Sequence, residues 1–234
     1  MPASFIAANN EYINLGINQA YLKNCTGYTI SAWVYITNLS VERDIVAISV
    51  GAAASTATSR ASLVVTPSGQ VMMISRASDA DVEHNCYGAA GAIVVNTWYH
   101  ILGITDLVAA TQVVFVNGVQ SGQTSAVTFN QAVTSNTNAY NSCIGSQDNG
   151  SANMMSGKIH DVRIYNRELS LQEISTIYTS GGKDGIIYGL EGHFLLSEET
   201  SGATLTTAIN TGTVRTSGTG VNTPTYSTGI IEIQ

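Results

Sequence analysis

The stretch Cys143–Tyr178, CIGSQDNGSANMMSGKIHDVRIYNRELSLQEISTIY, decides the fold. Cys143-Ile144-Gly145 closes a strand. Ser146–Ser156 is rich in Asn, Gly and Ser without periodicity, and reads as a loop. Gly157–Tyr165 is rich in Ile, Val and Tyr and reads as the next strand. Ser170-Leu171-Gln172-Glu173 then has capping-box spacing: the Ser170 hydroxyl can accept from the Glu173 N–H while the Glu173 carboxylate reaches back. Leu171, Ile174, Ile177 and Tyr178 follow at helical spacing, and Gly181-Gly182 supplies a stop. A helix of about three turns is too short to persist alone, so it must dock on a sheet.

Outward from this unit the chain reads as strands. In Tyr28–Ile36, Tyr28, Ile30, Ala32, Val34 and Ile36 share one face, and Thr29, Ser31, Trp33 and Tyr35 share the other. Asp44–Val50, Ala61–Thr66 and Gln70–Arg76 are further strands, the last two joined at Pro67-Ser68-Gly69. Thr97–Thr105 and Gln112–Val116 are apolar on both faces and read as central strands. Asn117-Gly118 is a two-residue hairpin signal. Ser121–Asn138 reads as a long loop with a short strand. The expectation from these elements is an all-β, two-sheet antiparallel sandwich with one short helix near residues 170–179.

Charge narrows the function. Lys and Arg number 9 against 16 Asp and Glu, a net charge of −7. Nucleic-acid affinity needs clustered cations, and there is no basic run, so nucleic acid is not an expected partner. No apolar stretch approaches a membrane span. Met1–Ser4 opens directly into strand-like sequence without the charged and apolar regions of a signal peptide. The protein is therefore expected to stay in a cytoplasm, unless a signal has been removed. Cys25, Cys86 and Cys143 are an odd, widely spaced set, expected to be buried free thiols.

The decisive stretch also resembles the laminin-G-like, concanavalin A-like jelly rolls, whose members often carry GxIDDVRIYNRALSxxEIxxLY. Here residues 157–174 read GKIHDVRIYNRELSLQEI, with His160 where an acid is usual. Weaker pieces of the resemblance are Tyr28–Val34, Trp98–Ile101 and Val114–Gly118, within residues 4–180. The resemblance implies that the expected two-sheet antiparallel sandwich is a jelly roll. After Gly182 the resemblance changes register. Residues 189–202, GLEGHFLLSEETSG, are similar to the segment that usually begins such a domain. Residues 3–13 are similar to the segment that usually follows it. The chain is thus divided into 1–182, a laminin-G-like jelly roll, and 183–234, a segment expected to complete the same sandwich in cis or in a neighbouring subunit.

Three constellations could carry chemistry. Asp79, Asp81 and Glu83, at alternate positions, would share one strand face. A related glucanase family uses such carboxylates, and retaining glycosidases hold two of them about 5–5.5 Å apart. Asp79 is too short for the leading, nucleophilic position, and the alternative is a solvated turn or a weak cation site. Gln147, Asp148 and Asn149 resemble in position the loop with which pentraxins bind calcium. Gln147 and Asp148 are the candidate Ca²⁺ ligands, against the alternative of a polar turn. Trp33 and Tyr35 are either an aromatic platform for sugar or core under a loop or the C-terminal segment. Trp98 is expected in the core with Leu102 and Ile104, and His100 is expected to be structural.

The resemblance implies a non-catalytic binding or structural module rather than an enzyme. A surface protein of a bacterial virus, as capsid decoration or tail adhesin, fits a low-charge chain without a leader. It would be made in the host cytoplasm, displayed on the virion as a homo-oligomer, and partnered by glycans or other surface proteins. A secreted, extracellular carbohydrate-binding lectin is the alternative, and a jelly-roll glycosidase the third reading.

Overall fold

The computed structural model describes residues 1–17, 20–48, 61–78, 80–134, 142–147, 150, 152–197 and 201–227. Its first eight strands are β1 (Ala3–Phe5), β2 (Tyr12–Gly16), β3 (Gly27–Ile36), β4 (Arg43–Ile48), β5 (Ala61–Val65), β6 (Val71–Ser75), β7 (His84–Tyr87) and β8 (Trp98–Asp106). Then come β9 (Thr111–Val116), β10 (Val119–Ser125), β11 (Ser142–Ile144), β12 (Gly157–Tyr165) and helix α1 (Leu171–Ser180). The C-terminal strands are β13 (Leu190–Phe194), β14 (Thr207–Ala208), β15 (Gly218–Val221) and β16 (Thr225–Tyr226). They form two antiparallel sheets of eight strands each, the expected jelly-roll sandwich. One sheet runs β10-β9-β8-β3-β12-β1-β16, with β13 also on β12. The other runs β14-β15-β2-β11-β4-β5-β6-β7. No helix among the described residues is long and apolar enough to cross a membrane.

Alternation along β3 determines two cores. Tyr28, Ile30, Ala32, Val34 and Ile36 point between the sheets, where they join Ile13, Leu15, Val46, Leu63 and Met73 from the opposite layer. On the outer face Leu102, Ile104, Phe115 and Tyr165 pack beneath Leu169, Ile174 and Ile177 of the helix segment. This second core explains why β8 and β9 read as apolar on both sides. The helix starts at the predicted capping box: Ser170 Oγ accepts from Glu173 N, and Ser170 N donates to Glu173 Oε2 at 2.8 Å. It ends at Gly181, φ 61°, in the left-handed region. Two hydrogen bonds from Arg167 hold the Glu173 carboxyl down at about 2, fixing the chain just before the helix to its first turn.

Asn117 (φ 50°) and Gly118 (φ 76°) make the predicted tight hairpin between β9 and β10. A Cβ on Gly118 would lie 3.1 Å from the Tyr178 ring, so the turn closes directly against the helix.

Strand β12 joins the pieces. Its register on β3 shifts between His160 and Arg163, where Asp161 adopts φ 49°. Before this bulge the other edge of β12 pairs with β1; after it, with β13. The bulge turns Asp161 and Arg163 into a buried network. Arg163 Nε donates to Asp161, Nη1 to Asp184 Oδ1 at 2.8 Å and Nη2 to the Gly182 carbonyl at 2.8 Å. His193 Nε2 on β13 lies 2.8 Å from Asp161 Oδ1. Burial alone would raise the Asp161 carboxyl, but the His193 hydrogen bond and the Arg163 charge outweigh it and hold it below the usual carboxylate range. A Cβ on Gly182 would fall 2.3 Å from Asp161 Oδ2, so this helix exit admits only glycine.

Strands from residues 190–226 enter both sheets: β13 on β12, β16 on β1, and β15 on β2 with β14 beyond it. Phe194, Leu196, Leu205 and Tyr226 are buried in the inter-sheet core. Phe194 meets the Tyr21 ring edge-on at 6.5 Å. Cys25, Cys86 and Cys143 are buried thiols outside any disulfide, as expected.

Three outcomes follow from these contacts. Truncation after Gly182 uncovers the β1, β2 and β12 edges and core side chains at once. It should give a product without a cooperative melt or a near-ultraviolet circular-dichroism signature. Arg163→Met leaves Asp161 and Asp184 buried without their guanidinium and should cost about 3–5 kcal/mol in urea titration. His100 is pulled down to about 4 by burial, only partly offset by the nearby Asp161 and Asp184 charges. The unfolded chain takes up this proton below about pH 6.5 while the folded chain does not. Its contribution should therefore be complete above pH 6.5 and decline as pH falls toward 4. The melting temperature of His100→Gln should fall less steeply than wild type across that window.

Candidate functional site

Residues facing outward from β12, β3 and β8 line up in cross-strand rows. Arg163, Ser31 and Leu102 form one row, and His160, Trp33 and His100 the next. Lys158, Tyr35 and Trp98 form the last, at the end of the sheet. Helix α1 lies along these rows and stops above the second. Tyr178 of its last turn stacks on Trp33 with centroids 5.8 Å apart and 23° between planes, and lies 6.3 Å from the His100 ring.

Of the two readings of Trp33, platform and core, the core one holds, and its place among the ligand-binding residues is corrected. Its ring is 1 % exposed and roofed by Tyr178, so it is part of the helix-side packing and cannot receive a sugar. The cover is the helix, not a loop or the C-terminal segment. His100, 1 % exposed beside Trp33, is structural as expected.

The row beyond the helix stays open. Tyr35 is half-buried, and so is Trp98, contrary to its expected place in the core. Trp98 shares a face with Leu102 and Ile104, but it is the first residue of its strand and lies past the end of the helix. The Tyr35 and Trp98 rings are 5.7 Å apart with 54° between planes, an open V. Lys158 Nζ stands 5.3 Å from the Tyr35 centroid. Val94 (52 % exposed) and Val95 (40 %) precede this row in the loop whose Asn96 N–H bonds the Ile36 carbonyl. Two tilted rings with one ammonium beside them present π and cationic contacts together.

Polar side chains gather in the neighbouring loops. Asp148 and Asn149 lie outside the described residues. Gln147 bridges to Ala152, and its Oε1 is 3.3 Å from Asn153 Nδ2. The same amide nitrogen is 3.0 Å from Asp44 Oδ2 and 3.4 Å from Glu42 Oε2. Arg43 fastens this loop by donating to the carbonyls of Met154 and Asn38. Three acceptor oxygens thus converge on one amide donor. Turning the Asn153 amide over would present Oδ1 to the same point, an oxygen set that suits a hard cation. Asp44, Glu42 and Asn153 were missed from the sequence, because only the pairing of β4 with β11 and the loop after it brings them to Gln147.

Asp81 and Glu83 of the acidic triplet do not lie on a strand. Asp79 lies outside the described residues, and Asp81 and Glu83 precede β7. Asp81 is buried and its oxygens accept from the N–H groups of Ala77, Val82 and Asn130, which secures a loop. Glu83 is exposed and accepts from Asn85 Nδ2. Among the carboxyls outside this triplet, partial burial, then the charge and hydrogen bond of Asp106, raise Glu168 to about 7. Two directly hydrogen-bonded carboxyls leave no room for a sugar between them, unlike a glycosidase pair. No three His, Cys, Asp or Glu side chains gather for a metal among the described residues.

Comparison with known proteins agrees with this architecture. Among solved structures, a candidate carbohydrate binding protein from Bacteroides ovatus superposes with a TM-score of 0.70 at 15 % identity, covering 100 % of this chain and 61 % of its own. The chain thus spans less than two thirds of that relative. A heptameric SAP-like pentraxin from Limulus polyphemus gives 0.60 at 16 % identity, covering 85 % of this chain and 89 % of its own. The CBM40 of the Ruminococcus gnavus IT-sialidase, bound to α2,3 sialyllactose, gives 0.54 at 18 % identity, covering 68 % and 86 %. No curated protein matches the chain. The laminin-G profile of the concanavalin A-like lectin/glucanases superfamily matches residues 8–175, from before β2 to within α1. Through that match, and the two-sheet sandwich whose bulged strand carries Arg163, the chain belongs to the concanavalin A-like lectin/glucanases superfamily.

Proposed function

We propose that this protein is a non-catalytic glycan-binding module whose sugar contact is the Tyr35–Trp98 pair. The observation that carries the reading is the open V of two half-buried rings, 5.7 Å apart on directly opposed residues, left bare where the helix ends. Rings held by sheet register lose little freedom on binding and offer flat apolar faces to sugar C–H groups. The relatives include a pentraxin and a sialidase's carbohydrate-binding module, which favours binding over chemistry. The arrangement of Asp81, Glu83 and Glu168 supplies no separated acid–base pair. Calcium is a second part of the proposal: Gln147 and Asp148, with Asp44 and Glu42, would supply oxygen ligands at the loop end.

The biological setting proposed is a particle or cell surface, with virion display as the first reading and secretion as the second. The low charge supports a displayed module; glycans, sibling surface proteins and further copies of the chain are its proposed partners. Native mass by light scattering and co-purification with particles test that part.

Glycan-array binding followed by calorimetry tests the site. Tyr35→Ala and Trp98→Ala should each weaken binding roughly tenfold or more while the melting temperature changes little. Trp33→Ala should instead lower the melting temperature, because it opens a cavity under Tyr178. Unchanged affinity in both platform variants ends the proposal. Millimolar Ca²⁺ should raise the melting temperature in wild type and not in Asp148→Ala; no shift in wild type removes calcium from the reading.

A further inference from the structure

The fold leaves two of its largest exposed apolar side chains next to each other, Ile187 (75 % exposed) and Tyr188 (80 %). They sit on the turn that leads into β13, closed by the Leu190 N–H to the Ile187 carbonyl at 3.1 Å. The turn is rigidly placed. Arg167 Nε donates to the Tyr188 carbonyl at 2.8 Å, and the Arg167 guanidinium lies 5.1 Å from the Tyr188 ring centroid. Arg167 is itself clamped by both carboxylate oxygens of Glu173. A tyrosine backed in this way on one side presents its ring in a fixed orientation.

Beside it is a depression of about 200 Å³ lined by Ile187, Leu190, Thr211, Gly212, Thr213 and Arg215. Its lining contains one cation and no carboxylate. Arg215 is exposed, sits at φ 54°, and makes no ion pair among the described residues. The Thr213 hydroxyl donates to the Leu190 carbonyl, and Thr211 Oγ1 is 3.0 Å from His193 Nδ1, so both hydroxyls are oriented and keep acceptor lone pairs for a ligand. The volume is below the roughly 300–1,000 Å³ of pockets for drug-sized ligands, which suits a single terminal sugar ring.

We infer that this turn and the Thr211–Arg215 loop form a second saccharide subsite, selective for a sugar that carries a carboxylate. The guanidinium fork takes the carboxylate, the threonine oxygens accept from ring hydroxyls, and Ile187 and Leu190 supply the apolar edge. The inference rests on the glycan-binding reading but uses none of the Tyr35–Trp98 residues.

Protein-observed NMR titration of the full chain tests it, with methyl glucuronoside and the methyl glycoside of N-acetylneuraminic acid as probes and methyl glucoside as neutral control. An acidic probe should shift the amides of residues 187–190 and 211–215, and methyl glucoside should bind there roughly tenfold or more weakly. Arg215→Gly removes the fork and suits the left-handed backbone. It should abolish those shifts with an unchanged or higher melting temperature. Tyr35→Ala should leave them in place, so failure of the first site does not affect this one. The inference is overturned by equal binding of acidic and neutral probes, by Arg215→Gly behaving as wild type, or by neither acidic probe binding at tens of millimolar.

Discussion

One guanidinium organises this molecule. Arg163 reaches Asp161 on its own strand, Asp184 beyond the helix, and the backbone at Gly182. Asp161 in turn meets His193 on β13. A charge this deeply buried is tolerated only when all its donors are engaged. Placing it therefore requires the bulge that points Asp161 inward, the glycine that lets the helix exit pass, and the C-terminal strand that brings His193. The bulge also divides one edge of β12 between β1 and β13. Sheet order and helix placement are consequences of the same few polar contacts.

The helix then divides the outer face of its sheet into two regions. Under α1 the face is a second core, with Trp33 and His100 held beneath Tyr178 in surroundings dry enough to keep the imidazole neutral. One row further on, the same kind of cross-strand aromatic pair has no roof. Tyr35 and Trp98 differ from Trp33 only in standing beyond the last helical turn. Burial and availability are thus decided here by where a ten-residue helix stops. The cap at Gly181, chosen for its left-handed backbone, sets that limit.

Strands β13–β16 protect edges that would otherwise be open. Without them one edge of β12 would be unpaired beyond its bulge, and β1 and β2 would each lose a neighbour. Their pairing also builds the surface on which Ile187, Tyr188 and Arg215 stand. Edge protection and candidate recognition surface come from the same stretch of chain.

Much of this was legible from residue order alone. The capping box at Ser170 and Glu173, the period-two pattern of Tyr28–Ile36 and the Asn117-Gly118 turn are local signals, each satisfied by groups a few residues apart, and each formed as read. The seam between Tyr35 and Trp98 was not legible, nor was the roof over Trp33. Tyr35 and Trp98 are far apart in the chain and meet through register, while Trp33 and Tyr178 meet because a helix lies back across the sheet. Asn153 meeting Asp44 and Glu42 likewise depends on how a loop lies against the start of β4, which no periodicity encodes. Short-range hydrogen bonding and hydrophobic period specify which elements form; which side chains end in solvent depends on where those elements stop against one another.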